Sequence, residues 1–331
     1  ARPASGVFPS PPEATLESGV GIYQEIGQHA DVILLQPNGP WRDFEDGIQA
    51  ASEAMTDMRN QYLLAEQNGL EVAVVVDPLN GLNRAEFGQL PWGWEASFAN
   101  PRVRAAYANF TLRIVRDFHP RYLGLASEIN TYMDVHPEDF PNFLSLYNEV
   151  YDRVKAESPE TQVFVTFQWE ELNNLFPQVA RGERFAVNWE QVEAFEPRLD
   201  LWVISSYPFT AFPSSAAMPD DYYARLLGQT GRPLAVAEGG YTTQAVDFGP
   251  GTPADQAAYL EAIHDQIGGR LDFWVYLILG DLDIESYADV LRSQGQGDDL
   301  GTLGNFAHVG LTGFDGTPKP ALEVWDSFRG Q

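Results

Sequence analysis

Two glutamates each end a short apolar run, and they are the residues best placed to do chemistry. Glu128 ends the run in RYLGLASEINTY, residues 121–132, and Glu238 ends the run in RPLAVAEGGYTT, residues 232–243. Short apolar runs of this kind are typical of buried parallel strands. Active sites of α/β barrels are built where the strands end. Two carboxylates brought there from different strands are the minimum equipment for cleaving a glycosidic bond.

This chemistry needs the two carboxyl groups in different protonation states. One must be protonated to give a proton to the leaving oxygen, and the other must be ionised to attack the anomeric carbon from the opposite face. Other carboxylates also follow strand-like runs, and each alone is better explained as a substrate-binding or loop-ordering group: Asp77, Glu170, Glu171, Asp281 and Asp283.

Strand-like and helix-like segments alternate along nearly the whole chain. The strand candidates are residues 5–8, 32–36, 72–77, 122–127, 163–168, 201–206, 234–237 and 273–277. Helix-length segments include residues 43–68, 101–118, 139–157, 253–267 and 320–328. The longest segments expected to be irregular, residues 80–99, 208–220 and 281–305, each follow a strand candidate. Repeated strand–helix units predict parallel strands with right-handed crossovers.

Eight such units favour a closed barrel over an open sheet. No proline- or glycine-rich linker interrupts the chain, and the helix starts at Asn100-Pro101 and Thr252-Pro253 have capping residues before a first-turn proline. The sequence therefore predicts an α/β fold, a single (β/α)8 TIM barrel that forms one catalytic domain over residues 1–331.

The order of these residues resembles the retaining glycoside hydrolases of clan A, and within them the endo-acting β-galactanases and β-mannanases. The resemblance implies that Glu128, after the fourth strand, is the acid/base and that Glu238, after the seventh, is the nucleophile. It also implies that Tyr207, after the sixth strand, hydrogen-bonds the nucleophile. The family usually has asparagine before the acid/base, where it binds the sugar 2-hydroxyl, but this chain has Ser127. Ser127 could make a shorter version of that contact, or Asn130 could reach in from the following turn.

Aromatic residues concentrate after the same strand candidates, where their faces could stack on sugar rings. The residues expected to bind substrate are Tyr207, Ser127, Asn130, Tyr132, Asn38, Trp41, Trp94, Trp169 and Trp274. Trp92, Trp94, Phe209 and Phe212 are expected to wall a groove, which favours cleavage inside a polymer.

The composition and net charge indicate which binding partners, cofactors and surroundings to expect. The net charge of -27 disfavours nucleic acid and anionic membranes, and no run of eighteen apolar residues occurs. The chain has no cysteine, and its five histidines form no metal-ligand pair at i, i+4. The predicted glycosidase chemistry requires neither a metal nor an organic cofactor. We expect a monomer that is secreted or at the cell surface, as a mature chain without a signal peptide. The first residues contain no hydrophobic stretch of the signal-peptide kind, so the chain either starts after processing or never had a leader. An acidic, lysine-poor surface suits a saline environment, although a GC-rich genome also favours arginine over lysine.

These observations predict a retaining endo-β-glycosidase that hydrolyses a neutral galactan, mannan or glucan by double displacement. Two alternatives use the same residues differently. The chain could be an inactive carbohydrate-binding barrel, which the serine before Glu128 suggests, or a transglycosylase.

Overall fold

The computed structural model describes residues 2–49, 51–228 and 231–330. Its strands are β1 (Ala4–Val7), β2 (Val32–Leu35), β3 (Glu71–Val75), β4 (Leu79–Asn80), β5 (Asn83–Phe87), β6 (Tyr122–Gly124), β7 (Gln162–Phe164), β8 (Thr166–Gln168), β9 (Trp202–Ser206), β10 (Leu234–Gly239) and β11 (Leu271–Tyr276). Its α-helices are α1 (Leu16–His29), α2 (Trp41–Phe44), α3 (Glu53–Gln67), α4 (Pro101–Phe118), α5 (Ile129–Val135), α6 (Phe140–Glu157), α7 (Trp169–Leu172), α8 (Trp189–Glu193), α9 (Pro253–Ile267), α10 (Ile284–Ser293), α11 (Leu300–Gly304) and α12 (Pro320–Arg329).

Nine strands form one sheet in the order β7-β6-β3-β2-β1-β11-β10-β9-β8. The first strand pairs in parallel with both β2 and the last strand, so that Gly6 lies opposite Val32 and Ser5 opposite Trp274. The two ends of the order, β7 and β8, are consecutive pieces of one segment, separated only at Val165. The order thus closes on itself with eight strand positions, and the predicted (β/α)8 barrel is confirmed.

Residue contacts divide the chain into two compact units. The first unit comprises residues 1–34, 65–71 and 204–331, and the second comprises residues 35–64 and 72–203. In the first, Trp274 of β11 packs against Trp325 and Phe328 of α12, with ring centroids 5.1 and 6.0 Å apart. The indole Nε1 of Trp325 also donates to the carbonyl of His29 at 2.8 Å. One domain over residues 1–331 stays a prediction.

In the second unit, β3, β6 and β7 pair in parallel, and α4 packs against α6. Tyr107 of α4 is fully buried, and its hydroxyl donates to the carbonyl of Leu125 and, at 3.4 Å, to that of Val76. Both carbonyls lie just past the last residue of a strand, β6 and β3 respectively. One helix side chain therefore fixes the ends of two strands, including the one that leads to Glu128.

The prediction of a helix over residues 43–68 is wrong in its first part. The helix α3 begins at Glu53, and only the short α2 precedes it; position 50 lies outside the described residues. Side chains of α4 bind carbonyls in this part of the chain. Asn109 Nδ2 donates to Phe44, the last residue of α2, at 2.8 Å, and Arg113 Nη1 donates to Ile48 at 3.1 Å. A helix would need those carbonyls for itself.

Two of the segments expected to be irregular contain strands or α-helices. Residues 80–99 contain β5, which pairs antiparallel with β4, and residues 281–305 contain α10 and α11. The helix α10 begins after Asp283, whose carboxylate accepts from the backbone N–H of Glu285 at 3.1 Å. The caps predicted at Asn100 and Thr252 are confirmed. Among the described residues, every helix is too short or too polar to cross a membrane.

Candidate active site

Glu128 lies in an unusual backbone conformation at the start of α5. Its φ of 50° and ψ of 45° are left-handed, which costs a non-glycine residue about 1–3 kcal/mol. The backbone N–H of Glu128 donates to Thr166 Oγ1 of β8 at 2.8 Å, which helps to hold this conformation. The residue is 8% exposed. The chain turns at Glu128, which lies between the end of β6 at Gly124 and the start of α5 at Ile129.

Arg84 of β5 connects Glu128 to a second buried carboxylate. Its Nε donates to Glu128 Oε2 at 3.0 Å, its Nη1 forms an ion pair with Asp77, and its Nη2 donates to Ser127 Oγ at 3.2 Å. The guanidinium is itself buried. We call Arg84, Asp77, Ser127, Glu128 and Thr166 the Glu128 cluster.

Burial raises the pKa of Asp77, and the charge of Arg84 opposes this effect. The Asp77 carboxylate also accepts from Gln36 Nε2 at 2.8 Å and from the backbone N–H of Leu79 at 3.1 Å. Sequence analysis noted Asp77 but missed Arg84. A carboxylate at the end of a buried strand suggests that a cation lies beside it. The spacing of the arginines along the sequence does not indicate which of them that is.

The two residues expected to bind the sugar 2-hydroxyl have other partners. Ser127 is buried between Arg84 and Thr166, whose hydroxyl lies 3.3 Å from its own. Asn130 is 0% exposed, and its side chain is bound at both ends to the backbone of Gln168, at 3.1 and 2.8 Å. The Asn130 amide thus joins α5 to the end of β8, and its contact with a sugar stays a prediction.

Glu238 lies near the end of β10, in the first unit. The hydroxyl of Tyr207 donates to Glu238 Oε1 at 2.6 Å, the contact that the resemblance implies. The Tyr207 ring is buried and packs against Phe306 at 4.9 Å. Gly239 allows close packing after the glutamate, because a Cβ there would collide with Tyr259 Oη and lie 2.8 Å from the carbonyl of Ser206. We call Glu238 and Tyr207 the Glu238 pair.

Most of the aromatic residues expected to stack on sugars are core residues. Trp169 is 0% exposed and packs against Trp189 and Trp202. The other buried members of the predicted set are Trp41, Trp94, Tyr132, Trp274, Phe209 and Phe212. Only Trp92 of that set is open to solvent, at 95% exposure. The predicted wall of stacking residues stays a prediction, and Trp92 is the member of it that is exposed in this structure.

Several of the side chains expected to bind substrate make specific contacts with neighbouring residues. Trp41 Nε1 donates to the carbonyl of Gly88 at 2.8 Å, and the Arg102 guanidinium lies 4.3 Å from the Trp94 ring. Tyr132 donates to Asp139 at 2.7 Å. Asn38 Nδ2 donates to the carbonyls of Asp77 and Leu79 at 3.0 and 2.9 Å. These side chains order the loops and helices around the strand ends.

Within residues 2–49, 51–228 and 231–330, no group of three or more histidine, cysteine, aspartate or glutamate side chains is arranged to hold a metal ion. Within the Glu128 cluster, Arg84 donates to Glu128 and to Ser127. Within the Glu238 pair, Tyr207 donates to Glu238.

Comparisons with known proteins identify the fold. No family model and no curated sequence matches the chain. An exo-β-1,4-mannosidase from an Opitutaceae bacterium superimposes with a TM-score of 0.68 at 13% identity, covering 99% of this chain and 59% of that one. This chain thus spans less than two thirds of the length of that enzyme.

Two further solved structures are similar in fold to this chain. The GH5_18 protein of Bifidobacterium longum subsp. longum gives a TM-score of 0.69 at 16% identity, over 100% of this chain and 79% of that chain. A family 39 glycoside hydrolase from Bacteroides cellulosilyticus gives 0.60 at 16% identity, over 99% of this chain and 63% of that chain. The predicted resemblance to barrel glycoside hydrolases is confirmed, and at these identities what the chain shares with them is their fold.

Proposed function

We propose that this chain is a retaining β-glycosidase that acts on a neutral, β-linked saccharide. The observation that carries the proposal is the 2.6 Å hydrogen bond from Tyr207 to Glu238 at the end of β10, within a fold shared with glycoside hydrolases. A tyrosine that donates to a carboxylate oxygen holds the carboxylate in one orientation.

In this proposal Glu238 is the nucleophile. Its carboxylate attacks the anomeric carbon and forms a covalent glycosyl-enzyme intermediate, which water then hydrolyses. Tyr207 orients the carboxylate and stabilises its charge between turnovers, because hydrogen bonds to ionised groups are shorter and stronger than neutral ones.

Glu128 is proposed to be the acid/base, which protonates the leaving oxygen and later activates water. Arg84 holds Glu128 Oε2 and Ser127 Oγ together at 3.0 and 3.2 Å. The buried guanidinium thus occupies the neighbourhood in which the resemblance would have had asparagine. We infer that Arg84 and Ser127 together replace that residue as hydrogen-bond donors.

The first substrates to test are β-mannosides. One relative in fold is an exo-β-1,4-mannosidase, and another is a GH5_18 variant of Bifidobacterium longum whose structure was solved in complex with Manβ1-4GlcNAc. The expectation of endo action on a polymer now depends on Trp92 alone, since the other aromatic residues of the expected groove are buried. Cleavage at a chain end is therefore tested beside cleavage inside it.

The test is a screen of purified protein on aryl β-glycosides, short β-1,4-manno-oligosaccharides, mannan, galactan and glucan, with early products followed by ¹H NMR. We expect one β-linked substrate to be cleaved and its product to appear first as the β anomer. A product that appears first as the α anomer would contradict the double displacement. High acceptor concentration in the same assay separates hydrolysis from transglycosylation by the transfer products formed.

A second candidate is a carbohydrate-binding barrel without catalysis. It is favoured by the Glu128 cluster, in which the carboxylate of Glu128 is already bound by Arg84 and buried. Affinity electrophoresis on the same polysaccharides distinguishes the two candidates, because binding without any product would support this one.

A further inference from the structure

Lys155 and Lys319 are the two lysines of the chain, and each binds an aspartate and a backbone carbonyl. Lys319 Nζ donates to Asp281 Oδ1 at 2.6 Å, to Thr243 Oγ1 at 3.0 Å and to the carbonyl of His308 at 3.2 Å. An ammonium group has three N–H donors, so these three acceptors match them in number.

The three acceptors belong to three different segments of the first unit. Thr243 follows β10, Asp281 follows β11, and His308 lies in residues 305–310, which we call the Phe306 segment. The backbone N–H and the hydroxyl of Thr243 also donate to the carbonyl of His308, both at 3.1 Å. One ammonium group therefore joins the Phe306 segment to the chain that follows two neighbouring strands.

Asp281 makes this junction dependent on the lysine. Its carboxylate is buried, accepts from the backbone N–H of Gly310 at 3.0 Å and lies 3.5 Å from His308 Nδ1. The backbones pack closely here, because a Cβ at Gly310 would collide with the backbone N of Asp281. Without Lys319 a charged carboxylate would remain buried, which favours any movement of the Phe306 segment that lets water reach it.

The Phe306 segment contacts the Glu238 pair through its aromatic residue. The ring of Phe306 packs against Tyr207 and Phe209, with centroids 4.9 and 5.7 Å apart. Tyr207 in turn donates to Glu238 Oε1 at 2.6 Å. A continuous series of contacts thus leads from Lys319 to the carboxylate of Glu238.

We propose that Lys319 is a positioning residue, whose ammonium group holds the Phe306 segment against Tyr207 and so fixes the orientation of Glu238. The anchoring of the segment follows from the contacts of Lys319, whereas its effect on a reaction rests on the proposed function. Lys319 acts through Phe306 and Tyr207.

Lys155 supplies the matched control. Its Nζ donates to the carbonyl of Thr161 at 2.8 Å and to Asp200 Oδ2 at 3.0 Å. Thr161 directly precedes β7, and Asp200 precedes β9, so these contacts lie at the amino ends of strands. That face of a barrel serves stability, whereas the reaction takes place at the carboxyl ends.

The first experiment compares Lys319→Met with Lys155→Met on a substrate found in the screen. Both variants should lower the midpoint of thermal unfolding, because each leaves an aspartate without its lysine. Misplacing a reacting group by about 1 Å can cost about 100-fold in rate, so Lys319→Met should lower kcat/KM by roughly 10- to 100-fold, mainly through kcat. Lys155→Met should keep the wild-type kcat and KM, measured well below both unfolding midpoints. Equal kinetics in the two variants would overturn the positioning role.

A double variant tests whether Lys319 acts through Tyr207. In the Tyr207→Phe background, the hydrogen bond to Glu238 is already missing, so adding Lys319→Met should lower kcat/KM by much less than it does in wild type. An unchanged fold-loss in that background would show that Lys319 does not act through Tyr207 and would overturn the proposed route.

Hydrogen exchange tests the anchor without any substrate. The backbone N–H groups of Thr243 and Gly310, which donate to His308 and Asp281, should exchange faster in Lys319→Met than in wild type and at the wild-type rate in Lys155→Met. If Lys319→Met does not fold, Thr243→Val removes one acceptor of Lys319, keeps its pair with Asp281 and should speed the exchange of Gly310 by a smaller factor.

The outcomes separate the anchor from the reaction. Unchanged exchange at these amides would overturn the anchor. Faster exchange with wild-type kcat/KM would overturn the positioning of Glu238. If no substrate is ever cleaved, the proposed function fails, and the exchange rates still decide whether Lys319 holds the Phe306 segment.

Discussion

The two glutamates are held in opposite ways. Glu238 lies on a regular strand, is partly exposed and accepts a hydrogen bond from Tyr207, which lies 31 residues earlier. Glu128 has a left-handed backbone, is buried and pairs with Arg84, 44 residues earlier. The first arrangement follows from neighbouring strand ends, whereas the second requires a hairpin, β4–β5, to carry an arginine into the core.

The difference indicates which part of the site can tolerate change. The Glu238 pair joins a buried tyrosine to a glutamate that is partly exposed, so its loss should affect reactivity more than folding. The Glu128 cluster contains two carboxylates and a guanidinium that are all buried, so its integrity should matter for folding as well. The following predictions test this contrast.

Glu238→Ala should cause the largest effect. Removing a nucleophile typically lowers kcat by roughly 10⁴-fold or more, and the fold should persist because Glu238 is not in the fully buried core. Steady-state kinetics with an aryl glycoside measure the loss, and added azide should restore turnover with inversion of the product. Normal activity in Glu238→Ala would show that the nucleophile is elsewhere.

Arg84→Met should destabilise the protein by about 3–5 kcal/mol near neutral pH, because it leaves buried carboxylates without their cation. The pKa of Asp77 is already raised by burial, and removing the arginine raises it further. Protonation at acid pH relieves the buried charge, so the defect should shrink as the pH falls. Denaturant unfolding at two pH values measures this.

The control for that variant is Arg59→Met, which removes an exposed arginine paired with Asp117 at 3.3 Å. Exposed pairs contribute only about 0–1 kcal/mol. Equal losses of stability in the two variants would mean that the Glu128 cluster does not depend on Arg84.

Tyr207→Phe should have the smallest effect of the three. A hydrogen bond to a charged group contributes about 1.5–3 kcal/mol, so kcat/KM should fall by roughly 10- to 150-fold. Tyr151→Phe is the matched control, because Tyr151 donates to Asp200 at 2.7 Å and neither residue belongs to the Glu128 cluster or the Glu238 pair. If both variants keep full activity, Tyr207 does not orient a reacting carboxylate.

The sequence by itself determined the order of strands and helices and the two glutamates that follow strands four and seven. Alternating apolar and amphipathic segments are local patterns, and caps such as Asn100 and Thr252 act within three residues. The role of Tyr207 was implied by the resemblance to clan A enzymes, and it follows β9, the neighbour of the strand that carries Glu238.

Only the tertiary structure decided which polar and aromatic side chains reach the strand ends. Arg84 comes from an antiparallel hairpin in a segment expected to be irregular, and the pairing that forms it is not encoded by local periodicity. Trp169 and Trp41 look alike as residues after strands, but whether such a ring faces solvent or neighbouring rings depends on packing between distant segments. Burial raises the pKa of Asp77 and of Glu171. This effect arises only in the folded chain, because folding removes the two carboxyl groups from water.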